Sequence, residues 1–97
     1  MSYPVEPVRF DWDSHNEDHV LRHGIAPWEA EDALRDPRRS KVETTHLGPE
    51  RRWAVLGATA SGRLLVVVFT RRTSRIRVVT ARHATRLEKR RYRRRDR

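Results

Sequence analysis

The sequence has no cysteine, one methionine and four glycines, and aromatic residues make up 7% of it. Without cysteine there is no disulfide framework and no thiolate-ligated zinc site. No apolar run approaches the ~20 residues that a membrane-spanning helix needs. The segment from Met1 to Phe10 carries two prolines and Glu6 but no apolar centre, which is not the pattern of a secretory signal. These absences predict a cytoplasmic protein with no membrane partner. Acidic residues are also scarce: 13 against 22 lysines and arginines, a net charge of +9. That excess points to polyanionic partners, nucleic acid first among them.

The 97 residues suit one domain with a compact core, ordered from about 8 to 92 with a basic tail over 93–97. The apolar residues are clustered. Leu64 to Phe69 forms one dense block, flanked by Trp53-Ala54-Val55-Leu56 and Ile76-Arg77-Val78-Val79. Clustering of this kind argues for a folded chain and against a disordered basic one.

Local signals predict an α+β order. A short strand is expected over Val8–Trp12. Asp13 is a helix N-cap residue, and a helix runs from Ser14 to His23, ended by Gly24. Pro27 suits the first turn of a second helix, which buries Ala30, Ala33 and Leu34 and stops at Asp36-Pro37. An antiparallel meander follows, with strands expected over Val42–His46, Arg51–Ala60, Arg63–Arg71 and Arg75–Ala81. Turns fall at Ser61-Gly62 and Thr73-Ser74. The third of these strands is apolar on both faces, so it should be covered on both sides. In the last, Ile76, Val78 and Thr80 should share a face. Thr85-x-x-Glu88 is a capping-box pattern that opens a short final helix, which should fray into the like-charged run Arg90–Arg97.

These residues resemble the BrnT-like toxins in order and spacing. The resemblance begins with Phe10-Asp11-Trp12-Asp13, Asn16-x-x-His19-Val20-x-x-His23-Gly24 and Asp36-Pro37. It continues through Glu50-x-Arg52-Trp53, Gly57, Gly62 to Thr70, and Ile76 to Arg82, and ends in Ala84-Thr85-x-x-Glu88-x-x-Tyr92. It implies a RelE-like fold and a toxin of a type II toxin–antitoxin system that cleaves RNA. It also implies a cognate antitoxin encoded by an adjacent gene, which contacts operator DNA on the toxin's behalf, with a toxin homodimer inside a heterotetramer as one assembly. Two positions depart from the commoner pattern: Asn16 where many members have Lys, and His19 where many have Asn. The alternative reading is therefore an inactive RNA-binding or antitoxin-binding module of the same fold.

A ribonuclease that needs no cofactor or metal uses the ribose 2′-OH as its nucleophile. The protein then removes one proton, stabilises charge at phosphorus and protonates the leaving 5′-oxygen. Arg52, Arg77 and Arg82 are the phosphate candidates, because a guanidinium fork binds phosphate oxygens in pairs. Each has a structural alternative: an outer strand face or an ion pair with Glu50 or Glu88. His23 and Glu50 are the proton-handling candidates. Otherwise His23 packs beneath the Gly24 turn and hydrogen-bonds the sheet, and Glu50 pairs with Arg52. Arg51, Trp53, Arg72, Arg90 and Tyr92 are the RNA-binding candidates. Trp53 and Tyr92 either stack on bases or anchor the core, and Trp12 and Trp28 are expected in the core. His15, His19 and His23 share a helix face, but no closing carboxylate is evident for a metal.

Overall fold

The computed structural model describes residues 8–44 and 48–94. Thr45 and His46 of the expected Val42–His46 strand, the last three residues of the basic tail, and Met1 to Pro7 lie outside the described residues. The element order is α1 (Ser14–Arg22), α2 (Pro27–Arg35), β1 (Ser40–Val42), β2 (Trp53–Ala58), β3 (Leu64–Arg72), β4 (Arg75–His83) and α3 (Arg86–Arg94). The strands form one antiparallel sheet in the order β1-β2-β3-β4. The fold is α+β, and its layout agrees with the expected RelE-like plan.

The helices begin and end where local chemistry dictates. The Asp13 carboxylate accepts from the His15 and Asn16 amides at 3.0 and 3.2 Å, satisfying donors that the first turn leaves unpaired. Asn16 completes the box by accepting from the Asp13 amide at 2.8 Å. Its amide nitrogen donates to the Asp11 and Val78 carbonyls, so this buried side chain ties α1 to β4. Gly24 takes φ +73° immediately after the His23 C-cap, a conformation that a Cβ disfavours. Pro27 opens α2, where the Glu29 carboxylate accepts from the Ala26 amide at 3.0 Å. Thr85 and Glu88 cap α3 reciprocally. The helix continues through Arg94 and does not dissolve at Arg90, because Tyr92 is buried against the sheet and holds that turn down.

β3 is covered on both faces. On one side, Leu65, Val67 and Phe69 pack with Val20, Ile25, Ala30, Ala33 and Leu34 of the α1–α2 layer. On the other, Leu64 and Val66 pack with Ala54, Leu56, Ala84 and Tyr92. Gly57 marks the closest approach of α2 to the sheet. A Cβ built there would lie 2.2 Å from the Ala33 carbonyl oxygen, so only glycine fits.

Four expectations are corrected. The Val8–Trp12 strand reduces to a single parallel bridge from Phe10 to Ile76, because the chain turns into the Asp13 cap within three residues. β1 comes earlier, at Ser40–Val42, because the turn after α2 delivers the chain directly to the edge of β2. β2 starts at Trp53, leaving Arg51 and Arg52 ahead of the strand. In β4 a register shift opposite Val68/Phe69 changes the phase. Phe69 pairs with Val78 and Val68 with Thr80, so Val78 and Ala81 face the helices and Thr80 falls on the other side.

Candidate nucleic-acid interface

The hairpin of β1 and β2 brings the cationic residues on either side of it together. Lys41 pairs in register with Val55, next to Trp53 at the start of β2. A groove of about 350 Å³ opens there, lined by Lys41, Glu43, Thr44, Arg51, Arg52 and Trp53. Lys41 and Arg52 are exposed and have no ion pair among the described residues. A second groove of about 310 Å³ shares Lys41, Trp53 and Ala54 with the first. Its floor is apolar, with Phe10, Leu34, Val55, Phe69 and Ile76, and its rim carries Arg35, Arg39 and Arg71.

Trp53 sits where the two grooves meet. Its ring is stacked on Phe69 at 6.1 Å and 21°. The Arg51 and Arg71 guanidinium carbons lie 5.2 and 5.1 Å from its centroid, within range of cation–π attraction. The ring is thus half-buried and fixed in orientation, with positive charge around it. Such a platform suits a nucleic acid base beside its phosphates.

The other expected site residues are not in the lining of either groove. Arg77 is held by the α1 cap: its Nη2 lies 3.1 Å from the Asp13 carboxylate, and its Nη1 lies 3.5 Å from Asp11. The bond from Arg77 lowers the Asp13 pKa, and the same contact raises that of Arg77. Arg82 makes a two-pronged bond to Glu88 at 2.8 and 2.9 Å, the ion-pair alternative foreseen for it. That bond outweighs the opposing effect of burial and holds Glu88 at about 2.

Glu50 pairs with Arg72 at 3.1 Å and not with Arg52, because the hairpin places the end of β3 beside the approach to β2. His23 is exposed as the C-cap of α1 and does not pack beneath the turn; its ring lies 5.6 Å from that of His19. No group of three metal-ligating side chains occurs among the described residues. Arg90 is exposed on α3. Tyr92 is 8% exposed, and its hydroxyl donates to Asp36 at 2.5 Å. Burial raises the Asp36 pKa, but bonds from Tyr92 and from the Ala58 and Arg38 amides carry it below its usual value. Trp12 is half-buried and donates to Glu31 at 2.8 Å. Trp28 is 69% exposed and not in the core, because its position on α2 faces away from the sheet-side stripe of Ala30, Ala33 and Leu34.

Sequence reasoning missed Lys41, Glu43 and Arg71. None stands in a recognisable motif, and only the strand register brings them to Trp53. The basic run from Lys89 to Arg97 reads as an electrostatic contact surface in sequence, but the sequence does not show that Arg63 and His83 join Lys89 and Arg93 in one cluster at the other end of the sheet.

The fold and this cation-lined groove define a small basic α+β protein with guanidinium groups gathered over an aromatic ring at one end of its sheet. A family model described as the ribonuclease toxin BrnT of type II toxin–antitoxin systems matches residues 12–88, and the chain belongs to that family. Membership implies an antitoxin protein as partner. No individually curated protein matches the chain. The departure at Asn16 falls on a buried side chain that caps α1 and bonds β4, remote in role from the groove.

Proposed function

We propose that this chain is an endoribonuclease toxin that holds single-stranded RNA at the Trp53 grooves and cleaves it without a metal ion. The observation that carries this reading is the fixed Trp53 ring with two guanidinium groups over it, beside Arg52 and Lys41, which have no ion pair among the described residues. A base stacks at Trp53, and Arg51 and Arg52 take the neighbouring phosphate oxygens. The 2′-oxygen attacks phosphorus as its proton passes to a carboxylate. The bond to the 5′-oxygen breaks, and that oxygen leaves with a proton. The products are a 2′,3′-cyclic phosphate and a 5′-hydroxyl. Glu43 lines the groove and suits the base role better than Glu50, which is engaged by Arg72. Arginine does not release its proton, so Lys41 is the groove's donor to the leaving oxygen. The partner antitoxin, encoded by the adjacent gene, neutralises the toxin in the cytoplasm and carries the operator contact.

The test is incubation of the purified chain with single-stranded RNA in EDTA. Cyclic-phosphate ends are expected, and Arg52→Gln should slow their appearance by at least tenfold. Loss of cleavage in EDTA contradicts the metal-free route. The second reading, a binding module without chemistry, is favoured by one observation: Arg77 and Arg82 are occupied by carboxylates and are not in the lining of either groove. RNA that is bound at Trp53 but left uncut, with no growth arrest on expression, would establish that reading.

A further inference from the structure

At the end of the sheet near the turn between β2 and β3, a cavity of about 320 Å³ is lined by Arg63, Leu64, His83, Lys89 and Arg93. We infer that this cavity is a second phosphate-binding site, which holds a backbone phosphate of the nucleic acid engaged at Trp53. As a part of that substrate's track, it rests on the RNA reading.

The cluster is built and not merely populated. Arg63 is fixed in place by Glu29 at 2.7 Å, by the Gly24 carbonyl at 3.4 Å and by His83 Nε2 at 3.0 Å. Lys89 and Arg93 lie four residues apart on α3 and line the same cavity. Like charges at this spacing destabilise a helix unless something neutralises them. Among the described residues, Glu29 is engaged by Arg63 and the Ala26 amide, and Glu88 by Arg82 and the Thr85 amide. Lys89 and Arg93 form no ion pair among the described residues. Among the described residues the lining therefore holds three cations and no carboxylate, with the His83 ring at its wall; Glu29, outside the lining, offsets only Arg63.

The chemistry favours phosphate over an acidic peptide. Leu64 is the only large apolar side chain in the lining among the described residues, so an amphipathic segment finds little to bury. Tetrahedral phosphate needs only cations and hydrogen-bond donors, which is what the cavity offers. The register separates Phe69, opposite Trp53, from Leu64 by five residues along β3. At the strand rise this is roughly 17 Å along β3, and because Phe69 and Leu64 face opposite sides of the sheet the nucleic acid has to turn over a sheet edge and travel farther than that to reach both sites.

The experiment is an NMR titration of the folded chain with inorganic phosphate, reading the His83 ring and the Lys89 and Arg93 side chains. Saturable shifts at these groups are expected, lost in the Lys89→Gln/Arg93→Gln double variant, whose changes are exposed and spare the core. Absence of saturation, equal shifts at the solvent-facing Arg90 and Arg94, or shifts that survive in the double variant would overturn the site. A short oligoglutamate that saturates the same signals at lower concentration than a single-stranded RNA would reassign the site to a peptide. With RNA, the double variant should lower the slope of log affinity against log salt by about 0.7, one single-strand phosphate contact. An RNA that leaves Trp53 unmoved while inorganic phosphate still saturates the cavity removes the RNA reading and keeps the anion site.

Discussion

The two edges of the sheet carry similar residues in opposite states. Along β4, Arg77 and Arg82 are each held by carboxylates, and Asp13 and Glu88 are pulled toward their charged forms in return. Along the β1–β2 edge, Arg52 and Lys41 have no ion pair among the described residues, and Arg51 lies over an aromatic ring. The β4 pairs fasten the N-terminal segment and α3 to the sheet. The Lys41 and Arg52 cations have no carboxylate holding them among the described residues. An arginine's role here depends on what stands opposite it, not on its place in a motif.

The largest effect is expected at a paired carboxylate away from both edges' arginines, at the end of α2. Asp36 accepts from the Tyr92 hydroxyl and from the Ala58 and Arg38 amides, and so joins α2, β2 and α3. Asp36→Ala leaves those donors without their partner, and urea unfolding should show a loss of about 2–3 kcal/mol. On the open side, Trp53→Ala should weaken binding of single-stranded RNA by about 2 kcal/mol, roughly thirtyfold, by fluorescence anisotropy.

The pH dependence separates the edges further. Glu88 titrates at about 2 in the folded chain against 4.5 as its ordinary value. Its stabilising contribution is therefore complete above pH 4.5 and is lost as pH falls toward 2. Solvent around the half-exposed Arg82 side chain screens the pair, leaving about 1–2 kcal/mol. Denaturant midpoints measured from pH 5 to 2.5 should fall less steeply in Arg82→Gln than in the parent. The smallest effect is expected for Arg52→Gln. Its stability should change by less than about 0.5 kcal/mol, while RNA affinity drops by about 1 kcal/mol and the salt slope decreases. A stability loss in Arg52→Gln equal to that in Arg82→Gln would erase the distinction.

What could be read in advance follows from the range of each interaction. The α1 cap at Asp13, the stop at Gly24, Pro27 at the start of α2 and the Thr85–Glu88 box are contacts within a turn, so sequence spacing was enough. The two-sided burial of β3 was also legible, because its apolar run left no polar face. The β4 phase was not, since the shift at Val68/Phe69 depends on pairing with another strand. Charge partners were the least legible. Arg77 meets Asp13 across 64 positions. Arg72 meets Glu50 only through the β2–β3 hairpin. Lys41 and Arg71 reach Trp53 from separate strands, so the groove had no signature along the chain.

The central claim is that RNA engages the β1–β2 edge at Trp53, and the chain's three tryptophans make it directly measurable. Trp12 donates its indole N–H to Glu31, Trp28 is exposed on α2, and Trp53 lies at the junction of the grooves. Single-stranded RNA titrated against the three indole N–H signals should move Trp53 and leave Trp12 and Trp28 in place. Movement of Trp28 with Trp53 unchanged would contradict the account.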